Sequence, residues 1–217
     1  MQDYAYSSQF RGANPEELNA RLREFGETVE AALNDDCDEV LIVGHSSGAH
    51  LAVHVMAEIL RRNPNLGVGP RLGFLSLGQV VPMMSFLPDA DELRRDLQQM
   101  SEQSKIFWLD VTAPGDGCAF ALCDPVAVSG VATKDKKWLI VISAAFTQTL
   151  SEQRWNELKR RYFRLHFQYL CAFDRPGDYD YFRITAGPQS LEDRFADRTS
   201  SKTRIETPVN KFTDMAL

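Results

Sequence analysis

Residues 40–49 read Val-Leu-Ile-Val-Gly-His-Ser-Ser-Gly-Ala, and this stretch decides the fold. The first four residues form a short, continuous apolar run, which is typical of a parallel strand covered by helices on both faces. Glycines and serines follow the run, and residues 51–60 then form an apolar segment of helical length. The stretch therefore predicts a buried strand, a tight turn and a helix in direct succession.

The same alternation of strands and helices continues along the chain. Strands are predicted near residues 39–44, 71–78, 105–111 and 138–144. A first helix is predicted to begin with Asn14 as its cap and Pro15 in its first turn, and a long last helix to run from about Ser151 to Phe173. These alternating elements predict an α/β fold, in which a mostly parallel sheet with its strands in chain order is flanked by helices on both faces.

Length and charge restrict the class of protein. The chain has 217 residues, which is enough for one domain with a sizeable core, predicted over residues 1–198 and followed by a polar, disordered tail over 199–217. The formal net charge of −6 disfavours nucleic acid as a partner, because a protein that binds its backbone needs a basic stripe. No window is both long and apolar enough to cross a bilayer, and the first residues lack the pattern of a signal peptide. The oligomeric state stays open.

Cysteine usage indicates the compartment. Four cysteines occur, at positions 37, 118, 123 and 171, and none forms a Cys-x-x-Cys pair. Their density is too low for a disulfide scaffold, so reduced thiols in the cytoplasm are expected. The alternative is a redox pair between Cys118 and Cys123.

The turn after the first predicted strand has the pattern of a nucleophile site. Residues 44–48, Gly-His-Ser-Ser-Gly, match G-x-S-x-G directly after an apolar strand and directly before a helix. Such a turn is so tight that residues 44 and 48 must lack side chains, which glycine provides. The turn places the hydroxyl of Ser46 above the sheet edge. The helix that starts there favours a developing oxyanion, with the N–H of Ser47 as one donor. The alternative is a Gly/Ser-rich turn without catalysis.

Residues 41–49 strongly resemble the nucleophile elbow of α/β-hydrolases, where His is common in the second motif position, as His45 is here. From Asn14 to the last predicted helix the chain matches that family in layout. The resemblance implies that Ser46 is a nucleophile, with an acid and then a histidine following it in the chain. One departure is that a single helix precedes the elbow strand, where the family has several strands. The elbow strand should therefore have an uncovered edge, and the chain is either an N-terminally truncated variant or part of a longer protein.

The family places its acid on the loop after the third strand seen here. In this chain that loop holds Asp116 between two glycines, and Asp110 and Asp124 are the alternatives, in that order. A plain turn-forming aspartate is the competing explanation for Asp116, because Gly-Asp-Gly favours a turn by itself.

Elimination among the four histidines selects the base. His45 belongs to the elbow and is expected to point away from Ser46, while His50 and His54 have zinc-helix spacing without the glutamate of H-E-x-x-H. His50 and His54 are therefore interpreted as packed or half-exposed helix residues. His166 alone follows the fourth strand, although it lies inside a predicted helix and not on the loop that the family uses. An ordinary helix histidine is the alternative.

Two functions follow from these residues. The first is a serine hydrolase that cleaves carboxylic esters or thioesters through an acyl-enzyme on Ser46, with His166 as base and Asp116 as orienting acid. It would act on a small acyl substrate and needs no metal or organic cofactor. The second is a non-catalytic α/β-hydrolase-like binding protein, or an inactive fragment of a longer hydrolase. A nucleotide-binding domain is disfavoured, because no G-x-G-x-x-G or G-K-[ST] loop follows a strand.

Overall fold

A computed structural model describes residues 2–63 and 69–216, and leaves Met1, residues 64–68 and Leu217 outside the description. One sheet of four strands lies at the centre. The strands are β1 (Glu39–His45), β2 (Arg71–Leu77), β3 (Ile106–Thr112) and β4 (Ile140–Ser143). Neighbouring strands are parallel and lie in the order β1-β2-β3-β4, which confirms the predicted sheet.

Helices fill most of the connections between the strands. In the described ranges they are α1 (Gln2–Gln9), α2 (Glu16–Ala32), α3 (Gly48–Arg62), α4 (Val81–Ser85), α5 (Asp91–Glu102), α6 (Pro125–Val128), α7 (Phe146–Thr149), α8 (Glu152–Leu158), α9 (Tyr162–His166), a 3₁₀ helix (Phe167–Leu170), α10 (Tyr181–Thr185) and α11 (Leu191–Phe195). Over the same ranges, no helix has the length and apolar character needed to cross a bilayer.

The two faces of the sheet carry separate hydrophobic clusters. Because side chains alternate along a strand, Phe74 and Trp108 point to the face covered by α2, α3 and α5. Leu75 and Leu109 point to the opposite face, which residues from α7 onward cover. All four side chains are fully buried. The predicted α/β class, with helices on both faces, is therefore confirmed.

The elbow strand lies at the edge of the sheet. β2 and β3 are buried along almost their whole length, whereas six of the seven residues of β1 are only partly buried. Within the described residues, β1 pairs with β2 on one side and has no strand on the other. The expected uncovered edge is present in this structure.

The single long helix predicted for residues 151–173 is wrong. The segment forms α8, α9 and the 3₁₀ helix, with a break at residues 159–161 where Arg161 leaves helical geometry (φ −111°, ψ 71°). The side chains of Leu158 and Leu165 both enter the cluster on the second face, while Tyr162 between them is 64% exposed. Tertiary burial thus overrides the local helical pattern.

The start of α2 also differs from the expectation. The helix begins at Glu16, Pro15 occupies the N-cap, and no side chain caps the helix. The amide of Asn14 contacts Nε2 of His54 at 3.1 Å instead. The predicted cap residue therefore ties the chain before α2 to the core helix α3.

Residues 199–216 belong to the segment that the sequence predicts to be a disordered tail. In the structure they are hydrogen-bonded to the domain. The N–H of Ser201 donates to the carbonyl of Val141 at 2.8 Å, and the N–H of Val209 donates to that of Val128 at 3.1 Å. Between them, Ile205 forms a parallel bridge with Cys123. The segment follows the domain surface past β4 and α6, and only its last residue, Leu217, lies outside the described range.

Candidate active site

Ser46 has the backbone strain of a nucleophile elbow. It follows β1 directly and adopts φ +57°, which confirms the expected positive φ. Its N–H donates to the carbonyl of Leu77 at 2.9 Å, and its own carbonyl accepts from the N–H of Ala49 at 3.1 Å. The left-handed region costs a residue with Cβ about 1–2 kcal/mol, so these bonds hold a conformation that the residue itself disfavours.

The two glycines of the motif differ in what they do. A Cβ on Gly44 would lie 2.8 Å from Cα of Ala49 and 2.9 Å from the carbonyl oxygen of Gly48, so helix α3 packs against bare backbone there. A Cβ on Gly48 would meet no atom within 4 Å. The expectation that the turn needs Gly48 to lack a side chain is therefore wrong, and the requirement rests on Gly44.

The carboxylate of Asp116, on the loop after β3, and the imidazole of His166, at the end of α9, come together from positions 50 residues apart in sequence. His166 ends α9, and its Nδ1 lies 2.7 Å from Oδ2 of Asp116. The N–H of Cys118 donates to the other carboxylate oxygen at 2.9 Å, and the hydroxyl of Tyr169 donates to Oδ2 at 3.1 Å. Asp116 and His166 are 2% and 4% exposed, so water hardly screens this pair. An acceptor at Nδ1 favours the tautomer with Nε2 as the basic nitrogen.

The His166 ring lies beside the elbow. Its centroid is 4.6 Å from that of His45, the residue before Ser46. Its Cε1 would lie 3.1 Å from a Cβ added to Gly78. Gly78 directly follows Leu77, and the carbonyl of Leu77 accepts the hydrogen bond from the N–H of Ser46. Nε2 of His166 is buried and has no hydrogen-bond partner among the described residues. The bond between Ser46 and His166 is therefore not formed in this structure.

Gly78 and Tyr169 belong to the site, and the sequence reasoning missed both roles. Gly78 has φ +52°, and a Cβ there would lie 2.6 Å from the ring of Tyr169. The Tyr169 hydroxyl stays a donor, because burial and then the charge of Asp116 raise its pKa well above the ordinary value. A glycine directly after a buried strand was a signal for close packing. Tyr169 could not be told from a core residue of the predicted helix.

The other two candidate acids have different partners. Asp110 lies in β3 and accepts a 2.6 Å bond from the hydroxyl of Ser76, and burial raises the pKa of Asp110 to about 8. Asp124 caps α6 by accepting from two backbone N–H groups and forms an ion pair with Lys136. Of the three aspartates, Asp116 is the one whose carboxylate contacts His166.

The remaining histidines have structural partners. His54 is buried, with Nδ1 2.8 Å from Asp96 and Nε2 3.1 Å from the Asn14 amide, so neither nitrogen is left for a metal. His50 is buried in the same helix. His45 donates from Nε2 to the His166 carbonyl at 2.9 Å, and burial lowers its pKa, which favours the neutral ring. His45 thereby holds the end of α9 against the elbow.

The electrostatics around Ser46 suit a developing negative charge. Ser47 is the N-cap of α3, a helix of 15 residues, so the positive end of the helix dipole lies at the elbow. Potential metal-ligating atoms of Asp116, Cys118 and His166 lie within 4.8 Å of one another, although the first and last of these residues are already bonded to each other.

Comparisons with protein-family models, with curated proteins and with solved structures found no match for this chain. The observed architecture is a four-stranded parallel sheet with helices around it, and it is compatible with an α/β-hydrolase-like arrangement.

Proposed function

We propose that this chain is a serine hydrolase of the α/β-hydrolase type that cleaves carboxylic esters or thioesters through an acyl-enzyme on Ser46. The observation that carries the proposal is the buried pair of His166 and Asp116. The His166 ring centroid lies 4.6 Å from that of His45, the residue directly before Ser46 with its positive φ. A nucleophile, an oriented base and an orienting carboxylate are the three parts that acyl transfer requires.

The reaction assigns one role to each part. The Ser46 hydroxyl attacks the acyl carbonyl while Nε2 of His166 takes its proton, and Asp116 stabilises the imidazolium through Nδ1. The tetrahedral oxyanion forms at the N-terminus of α3, where the N–H of Ser47 is the expected donor. The imidazolium then protonates the departing oxygen or sulfur. Water hydrolyses the acyl-enzyme, with His166 as base again.

The absence of a hydrogen bond between Ser46 and His166 is compatible with the substrate-free state of such an enzyme. Catalytic hydrogen bonds are often long or poorly aligned without substrate and tighten when it binds. A rotation of the serine side chain changes where its oxygen points and leaves the backbone in place. Nε2 of His166 is a buried acceptor without a donor. In the proposed reaction, the Ser46 hydroxyl rotates and donates to it.

One observation favours a second candidate function, a non-catalytic binding protein of the same architecture. The elbow strand is an edge strand, so the side of Ser46 away from β2 has no strand in the described residues to donate a second oxyanion N–H. A site with a single donor would bind an acyl group without efficient turnover.

Covalent labelling separates the two candidates. A fluorophosphonate should modify Ser46 in the native chain, as located by peptide mass spectrometry. Ser46→Ala should abolish this labelling, and His166→Ala should slow it by several orders of magnitude. Each single variant should lower the esterase activity by several orders of magnitude and the double variant little further, because triad members act as a unit. Ser47→Ala is the matched control, since it keeps the backbone N–H. The proposed triad would be ruled out if the native chain is not labelled. It would also be ruled out if the activity loss of the double variant equals the product of the two single losses.

A further inference from the structure

A cavity of about 380 Å³ has a basic and aromatic lining that includes Phe167 and Gln168, the two residues after His166. Its cationic residues are Arg154, Arg161 and Arg164, and its aromatic residues are Phe163 and Phe167. We call these five residues the basic rim. All five are exposed, so the rim is open to ligands from solvent.

The basic rim adjoins the candidate active site. Phe167 follows His166 directly, and its ring centroid lies 5.0 Å from that of His45 at the elbow. Gln168, the next residue, also lines the cavity. The elbow and the rim therefore meet at the Phe167 ring, and the remaining part of a substrate bound at Ser46 would extend past this ring to the arginines.

Two of the three rim arginines have no carboxylate partner among the described residues. Arg154 lies 3.6 Å from Glu157, but the guanidiniums of Arg161 and Arg164 form no ion pair with any residue in the described parts of the chain. Exposed arginines elsewhere, such as Arg62 and Arg71, do pair with carboxylates. A cluster of free cations on a protein with a net charge of −6 makes a local positive potential that attracts anions.

The aromatic residues of the rim are exposed to an unusual degree. The side chains of Phe163 and Phe167 are 69% and 53% exposed, and both flank the arginines. An apolar arm that carried an anionic group at its end could lie on these rings while the guanidiniums held the group. Planar guanidinium forks match phosphate oxygens in geometry as well as in charge.

We infer that the basic rim binds a phosphate on the alcohol or thiol part of the acyl substrate, so that the substrates are acyl esters or thioesters with a phosphorylated leaving group. The inference rests on the proposed function. Three arginines and one glutamate leave two net positive charges in the lining, which matches a phosphate monoester with a charge of roughly −1.5 to −2. In the reaction, the bond from Ser46 forms first, and the tetrahedral intermediate then expels the phosphorylated alcohol or thiol as the acyl–oxygen or acyl–sulfur bond breaks. The serine proton passes through His166 to that oxygen or sulfur, and water later hydrolyses the acyl-enzyme.

Two thioesters that differ only in the phosphate test this specificity. S-butanoyl pantetheine and S-butanoyl 4′-phosphopantetheine are compared as substrates of the native chain, of Arg161→Gln/Arg164→Gln and of Arg21→Gln/Arg23→Gln. The last variant is the matched control, because it removes the same charge from exposed positions on α2. Charged hydrogen bonds of ordinary strength predict that the phosphorylated thioester has a roughly 10- to 100-fold higher kcat/KM in the native chain and the control. In the rim variant the two values should converge.

Calorimetric titration with free 4′-phosphopantetheine measures the rim without turnover. Binding by the native chain and the control that is lost in the rim variant supports the inference. It does so even if neither thioester is hydrolysed and Ser46 is not labelled, and in that case only the proposed function fails. Equal kcat/KM for both thioesters in a native chain whose Ser46 is labelled overturns the rim inference and leaves the proposed function standing. Absence of binding in the titration overturns it as well.

Discussion

Gly44→Ala tests directly whether the elbow is as tight as the structure shows. The added methyl group would meet Cα of Ala49 at 2.8 Å and the carbonyl oxygen of Gly48 at 2.9 Å. Both atoms belong to the backbone where α3 starts, so no side-chain rotation relieves the contact. The start of α3 or the end of β1 must move by several tenths of an ångström.

The expected cost follows from this forced shift. Overpacking that displaces backbone destabilises a protein by about 1–3 kcal/mol. For a chain of 217 residues, each kcal/mol lowers Tm by roughly 2–4 °C, so Gly44→Ala should lose about 2–12 °C. The same shift moves Ser46 relative to His166, so the labelling rate of Ser46 should fall as well.

Gly48→Ala is the matched control, because the same atom is added four residues later into open space. Gly48 begins α3, and alanine there should leave stability unchanged or raise it by up to about 1 kcal/mol. Thermal melts and urea titrations of the three chains measure the difference. The reasoning would be refuted if Gly44→Ala has the same Tm as the native chain, or if Gly48→Ala lowers Tm as much as Gly44→Ala does.

Three further perturbations probe the strain, the buried acid and the carboxylate contact. Ser46→Gly should be more stable to urea than Ser46→Ala by about 1 kcal/mol, because only glycine adopts φ +57° without strain; equal stability would contradict the strained elbow. Asp110→Asn should change how stability depends on pH. Burial raises the folded-state pKa of Asp110 to about 8, so its contribution is fully present below the unfolded pKa near 4 and is lost as pH rises to about 8. The native chain should therefore lose up to about 1.4 kcal/mol per pH unit relative to the variant in that window, and parallel urea curves would contradict this. Tyr169→Phe should cost roughly 1–3 kcal/mol by removing a donor from Asp116, whereas Tyr162→Phe, at a 64% exposed residue, should cost nothing in the same melts.

Local pattern was sufficient for the strands and for the elbow. A continuous apolar run of strand length is decided by nearest neighbours in sequence, and residues 40–43 and 106–109 needed nothing else to be recognised. The position of Ser46 after β1 follows from the same few residues. Its positive φ was predictable because a strand that turns at once into a helix must reverse direction within the motif.

Longer-range features were outside the reach of periodicity. The break between α8 and α9 depends on which residues the second face of the sheet buries, and an exposed Tyr162 looks identical in sequence to a buried one. Chain order indicated Asp116 and His166 as partners, but Asp110 and Asp124 fitted the same order. Only packing showed that Ser76 and Lys136 contact those two aspartates.

The sequence by itself determined the class of fold, the order of the strands and the residue at the elbow, because each depends on contacts within about ten residues or on the handedness of strand crossovers. The tertiary structure alone decided which of the three candidate carboxylates meets His166, and that Tyr169 and Gly78 pack close to each other beside His166. The physical reason is that a hydrogen bond of 2.7 Å between Asp116 and His166 needs the loop after β3 and the end of α9 placed to within a fraction of an ångström. That precision comes from the packed core beneath them and from no local pattern.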